Sequence, residues 1–214
     1  MFPKDCVGSG CKDLFYGASA GDLINNYFSK TSGWKVLYDK DIIVRVAGNY
    51  ASLRDEKIFK YPKIYITRTG NPYKAFYDID SYASINFFSL QYKNSEDNTE
   101  ANLKLILPLF LSSVCQFFIR RFAAPRLGNT FVETKIIHIL KFRTPEIGKV
   151  TKLKIINLVD EIIQKKKSNR ESTELEKEID VLVYKLYELT YEEVKIIDKD
   201  FWLSEEEYNA IKIS

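Results

Sequence analysis

The sequence predicts an α+β chain: a mixed or antiparallel β-rich region over residues 1–148 holding one buried helix, then a helical region over 149–214 built from a helical hairpin and short C-terminal helices. Three observations predict it. Short β-branched and aromatic runs follow one another from residue 34 to about 92. The window LKLILPLFLSSVCQFFI at 103–119 has the composition of a core helix, and helical periodicity with repeated capping boxes takes over after residue 150. With 214 residues and 45% hydrophobic content, the chain has ample material for a core.

Residues 1–33 are rich in Gly, Ser, Asp and Asn, with GSG at 8–10 and YGASAGD at 16–22. They read as loop and turn with at most a short helix near Leu23–Phe28, and no strand leads into the lone Gly-Ser-Gly to make it a phosphate loop. The strand runs are WKVLY, DIIVRVAG, PKIYITRT, YKAFYDI and INFFSLQY. A period of two in KIYITR sends Ile64 and Ile66 to one face and Tyr65 and Thr67 to the other. Between the third and fourth runs Thr69-Gly70-Asn71-Pro72 has the residues of a hairpin turn, since Gly and Asn accept positive φ and Pro donates nothing to a ladder.

The polar segment 92–102 is an exposed loop leading into the buried helix, expected from about 103 to 121. TKIIHILKF, which carries the single histidine His138, reads as a strand. Further on, Ile155, Leu158, Val159, Ile162 and Ile163 form a helical stripe, and Leu175, Ile179, Leu182, Leu186 and Leu189 form a narrow coiled-coil-like seam. KSNRES supplies the turn between them. Thr173 with Glu176, Thr190 with Glu193 and Ser204 with Glu207 have capping-box spacing, giving helices near 174–189, 191–199 and 205–212.

Several function classes are disfavoured. One histidine and cysteines without paired knuckles (Cys6, Cys11, Cys115) do not make a zinc site, and the odd count with no leader-like N-terminus fits a reducing cytoplasm. The apolar window is shorter than a membrane span and carries Lys104 and Pro108. His138 beside apolar neighbours reads as structural, Cys115 packs as a small hydrophobe, and Asp78 with Asp80 is ordinary turn chemistry, so no catalytic set emerges. Asn71-Pro72-Tyr73 resembles the Asn-Pro-Pro-Tyr loop of N6-adenine DNA methyltransferases. The strand, Gly-rich loop and acidic residue that S-adenosylmethionine requires are missing upstream, so it reads as a turn.

Charge is uneven. The chain carries +3, whereas residues 117–145 hold Arg120, Arg121, Arg126, Lys135, Lys141 and Arg143 against Glu133 alone. The strand PKIYITRTG, the following KAFYDIDSYASINFFSLQY, a buried helix ending in basic residues, and a tail from Ile179 to Glu193 of the form Ile-Asp-x-x-Val-Tyr-x-Leu-Tyr-x-Leu-Thr-x-x-Glu together resemble the TaqI-like C-terminal specificity (target recognition) domain of type IIG and adenine-specific restriction-modification enzymes. The resemblance covers roughly 60–199.

It implies a prokaryotic, cytoplasmic, sequence-specific double-stranded DNA recognition module, non-catalytic by itself. A separate methyltransferase domain or subunit, and possibly an endonuclease, would be its partner; S-adenosylmethionine is expected there and no cofactor here. The expected DNA-binding residues are Arg68, Asn71 and Lys74 at one hairpin end, and Arg120, Arg121, Arg126, Asn129 and Lys135 around the helix end and the APRLGNTF loop. Arg120 and Arg121 also suit a helix C-terminus for dipole reasons alone. The competing expectation is a protein-interaction module that docks on a methyltransferase or restriction subunit through the 175–189 seam.

Overall fold

In the computed structural model, the described residues are 6, 8, 10–16, 24–31, 33–38, 54–70, 72–122, 125–126 and 131–213. The first half runs β1 (Cys11–Phe15), β2 (Lys35–Leu37), α1 (Lys57–Lys60), β3 (Lys63–Thr67), β4 (Thr69–Gly70), β5 (Ala75–Asp78), β6 (Tyr82–Ala83) and β7 (Phe87–Leu90). Then come α2 (Glu100–Leu111), α3 (Ser113–Phe122), β8 (Pro125–Arg126), β9 (Phe131–Glu133), α4 (Ile136–Lys141), α5 (Lys149–Lys167), α6 (Thr173–Leu186), α7 (Tyr191–Ile197) and α8 (Glu205–Ala210). This is the expected α+β order, mixed and antiparallel sheet first and helices after. The run DIIVRVAG lies outside the described residues.

Strand β3 centres an antiparallel sheet of order β5-β3-β7, with Ile66 opposite Ala75 and Phe88. Its alternation holds: Ile64 and Ile66 enter one apolar cluster with α2, α3, α5 and α6, while Tyr65 joins Phe15, Phe76 and Phe87 in a second cluster on the other face. Those four rings lie 4.7–6.2 Å apart in tilted and edge contacts. Full burial of each is worth about 1.5–3 kcal/mol. The second face is closed by the mixed sheet β2-β1-β6, in which β1 pairs antiparallel with β2 and parallel with β6.

The expected helix near Leu23–Phe28 is absent among the described residues. Tyr27 instead adopts φ +66° and bridges to Phe76, its N–H donating to Ala75 O and its carbonyl accepting from Tyr77 N. The backbone bonds and the burial of the Tyr27 ring offset a strained conformation.

A fully buried cation fastens the corner below β3. Lys63 Nζ donates to the carbonyls of Phe59 (2.8 Å), Tyr61 (3.2 Å) and Ile79 (2.7 Å) and pairs with Asp78 at 3.0 Å, tying α1, β3 and the end of β5. Burial pushes the Lys63 ammonium down and the Asp78 carboxylate opposes that shift.

The buried helix expected from 103 to 121 is two helices, α2 and α3, bent by 62° at Ser112. Ser112 leaves helical geometry with ψ 151°, and side chains meet several of the groups freed by the break. Ser112 Oγ donates to Leu109 O (2.7 Å) and accepts from Cys115 N (3.3 Å), while the Tyr73 hydroxyl donates to Phe110 O. No single helix among the described residues is long and apolar enough to cross a membrane, and the bent pair that approaches such a length is packed into the core.

After Gly148 the sequence expectations mostly stand. Ile155, Val159, Ile162 and Ile163 of α5 pack with Ile179, Leu182 and Leu186 of α6, so the chain's own stripe fills the seam. Thr190–Glu193 and Ser204–Glu207 form complete capping boxes. Thr173–Glu176 does not: α6 starts one residue earlier, with Ser172 at the cap and its hydroxyl donating to Glu176 at 2.6 Å. The segment TKIIHILKF is helix α4 rather than a strand; its apolar residues occupy consecutive pairs, a helical spacing, and His138 Nδ1 accepts from the Lys135 N–H at the helix start. Finally, the odd cysteine count conceals a pair: Cys6 and Cys11 form a disulfide, while Cys115 is free and buried, packed as a small hydrophobe as expected.

Candidate nucleic-acid interface

The end of the β3–β5 hairpin is built from short-range sequence. Thr67 N donates to Lys74 O (2.9 Å) and Thr67 Oγ1 accepts from Lys74 N (2.9 Å), closing the expected turn around Pro72. Gly70 is required there: a Cβ would lie 2.7 Å from Pro72 O and 3.0 Å from Tyr73 Cα. Tyr73 is a structural residue, buried with its hydroxyl on Phe110 O and against Cys115 Sγ at 3.2 Å, and Gln116 donates to its carbonyl. Burial first, then the neighbouring thiol, pushes that phenol well above its ordinary range.

Beyond the turn, β4 leaves the central sheet and pairs with β9, which also pairs with β8, giving a small antiparallel sheet of order β4-β9-β8. Thr69 faces Glu133, Gly70 faces Val132, and Val132 in turn faces Pro125, with Arg126 opposite Phe131. Thr134 N donates to Arg68 O at 2.8 Å. Two basic stretches far apart in sequence, the Arg68 hairpin end and the Arg126 strand, therefore share one sheet, and Lys135 follows directly from it.

The expected site residues differ in their freedom. Arg68 donates to Ile85 O (3.1 Å), pairs with Glu133 (3.4 Å) and lies 5.4 Å over the Phe88 ring, stapling β3, β7 and β9; its side chain keeps 34% exposure. Lys74 is committed inward, donating to Ile24 O at 2.6 Å. Lys135 is exposed. Asn71 and Asn129 lie outside the described residues, as does the side chain of Arg126, whose backbone is in β8.

Arg120 and Arg121 sit elsewhere. Both are exposed in the last turn of α3 and line a cleft against α7, with Arg121 stacked 4.8 Å over Phe117 and Arg120 Nε bonded to Gln116 O. None of the cleft's lining residues belongs to the small sheet. Lys141 and Arg143 share a neighbouring cleft with Arg121; they were visible in the basic count of 117–145, but only the packing of α4 on α3 assembles them. His138, between Lys135 and Lys141, is held below its ordinary range, by burial first and then by those two cations, which suits its acceptor role.

Among the described residues no three His, Cys, Asp or Glu side chains are grouped to hold a metal ion. Neither protein-family models nor curated proteins include a match to this chain.

Proposed function

We propose that this chain is a sequence-specific double-stranded DNA recognition module, non-catalytic by itself, of a prokaryotic restriction-modification enzyme or adenine-specific methyltransferase. The observation that supports it is the sheet β4-β9-β8, which joins the turn after Arg68 to the basic strand of Arg126 and ends at exposed Lys135. In this reading Lys135 and Arg126 grip phosphates, and Asn71 and Asn129, which lie outside the described residues, read base edges. Phosphate contacts supply affinity and each bidentate base contact about 1–3 kcal/mol of discrimination. Arg68 positions the sheet through Glu133 and Ile85, with its open edge toward DNA. S-adenosylmethionine and the chemistry belong to the partner methyltransferase.

Arg126→Ala and Lys135→Ala test the reading. Each is expected to weaken duplex binding and to lower the slope of log affinity against log salt by about 0.9 for every phosphate no longer neutralised, read by fluorescence anisotropy. Unchanged affinity and slope in both variants contradict it.

A further inference from the structure

A second surface calls for its own explanation. Two clefts of about 420 and 470 Å³ meet at Phe117 and Arg121, which line both, and form one trough bounded by α3, α4 and α7. The floor is apolar: Val114, Phe117, Phe118 and Phe142 in one part, Ile196 and Ile197 in the other. Phe122 and Ile196 are more than half exposed beside it. The rim is cationic: Arg121, Lys141 and Arg143 at one end, Arg120 and Lys199 at the other. Among the described residues no carboxylate lines either cleft and none of these five side chains is in an ion pair.

We propose that this trough docks an acidic, amphipathic segment of a partner protein, apolar anchors on the phenylalanine floor and carboxylates on the arginine and lysine rim. Charge complementarity and the apolar floor together select that occupant. A duplex backbone satisfies the cations but has no apolar group to seat on the floor, so it would leave the aromatic surface in water. An amphipathic helix with anchors at i, i+3, i+4 and i+7 satisfies both. Arg121 and Arg143 flank the floor and offer forked, weakly hydrated donors to carboxylates. The inference does not depend on the DNA reading, because it uses no residue of the small sheet.

The test uses the whole chain and three fluorescein-labelled probes: a 16-residue peptide with Leu and Phe at i, i+3, i+4, i+7 and Glu elsewhere, the same composition scrambled to destroy the apolar face, and a 20-base-pair duplex. Anisotropy is expected to give at least about tenfold tighter binding of the patterned peptide than of the scrambled one, lost by about tenfold or more in Lys141→Glu/Arg143→Glu with duplex binding unchanged. Wild-type chain needs no substitution for the second readout: the patterned peptide is expected to protect Lys141 and Lys199 from acetylation, while Lys154 and Lys177 on other faces stay reactive. Equal affinity for the two peptides, or no protection, overturns the proposal. So does loss of duplex binding in the double variant with peptide binding intact, which assigns the trough to nucleic acid. So does a mass that rises with concentration and reverts in Trp202→Ala, which assigns it to the exposed Trp202 and Glu205–Glu207 end of a second copy.

Discussion

The sheet around β3 and the helices after Gly148 are held together by different means. In the helices, apolar stripes of α5 and α6 face each other, and α7 and α8 start on capping boxes whose partners lie three residues apart. In the sheet region, polar groups distant in sequence meet in the interior: Lys63 with Asp78 and Ile79 O, and Tyr73 with Phe110 O. Apolar stripes tolerate loss of one member in proportion to the cavity left, whereas a buried polar knot loses its compensation all at once.

The sharpest break of that contrast is Lys63→Met. It leaves the largely buried Asp78 carboxylate and three carbonyls without their cation, and we expect a loss of about 3–5 kcal/mol by urea denaturation. A loss below about 1 kcal/mol would mean that water replaces the ammonium. Tyr73→Phe removes only the hydroxyl at the Ser112 bend; leaving Phe110 O unmet is expected to cost about 1–3 kcal/mol by the same assay.

Asp180 adds a pH dependence to the helical region. Its carboxyl on α6 is pushed up to about 7, by burial first and then by Asp198 and Glu176. The folded chain holds that proton more tightly than the unfolded one, so the stabilisation is complete below the ordinary carboxylate range and is lost as pH rises through about 7. We expect the Asp180-dependent part of stability to fall between pH 5 and 8 by on the order of 2 kcal/mol, after allowance for partial solvent contact, and Asp180→Asn to remove it. Identical pH profiles for the two chains would count against a buried carboxyl. The smallest expected effect is Thr190→Ala, about 1 kcal/mol, because only one end of one short helix loses its cap.

The same division explains what could be read in the sequence. The hairpin, the alternation of Ile64, Tyr65 and Ile66, the α5 stripe and the two real capping boxes are local patterns, and each appears where its spacing puts it. Ser112 breaks a largely apolar run, and nothing within that run announces that Tyr73 meets the freed Phe110 carbonyl. Helix α4 is capped by a histidine three residues in rather than by Ser, Thr or Asp, so its start carries no ordinary signal. Cysteine parity cannot reveal that Cys6 and Cys11 pair, whereas the burial of Cys115 follows from its apolar neighbours.

For the candidate interface, the basic composition of 117–145 was legible and its division was not. Strands of two and three residues join Arg68 to Arg126, and strands so short have no periodicity to read. The packing of α4 on α3 sends Arg121, Lys141 and Arg143 to a trough of their own.

The most direct measurement of the recognition role is binding of the whole chain to a random duplex pool across a salt series, with sequencing of the bound fraction. The expected result is salt-sensitive binding with one enriched motif, which Arg126→Ala weakens or blurs. A well-folded chain that binds no duplex at low salt, or binds without enrichment, contradicts sequence-specific recognition.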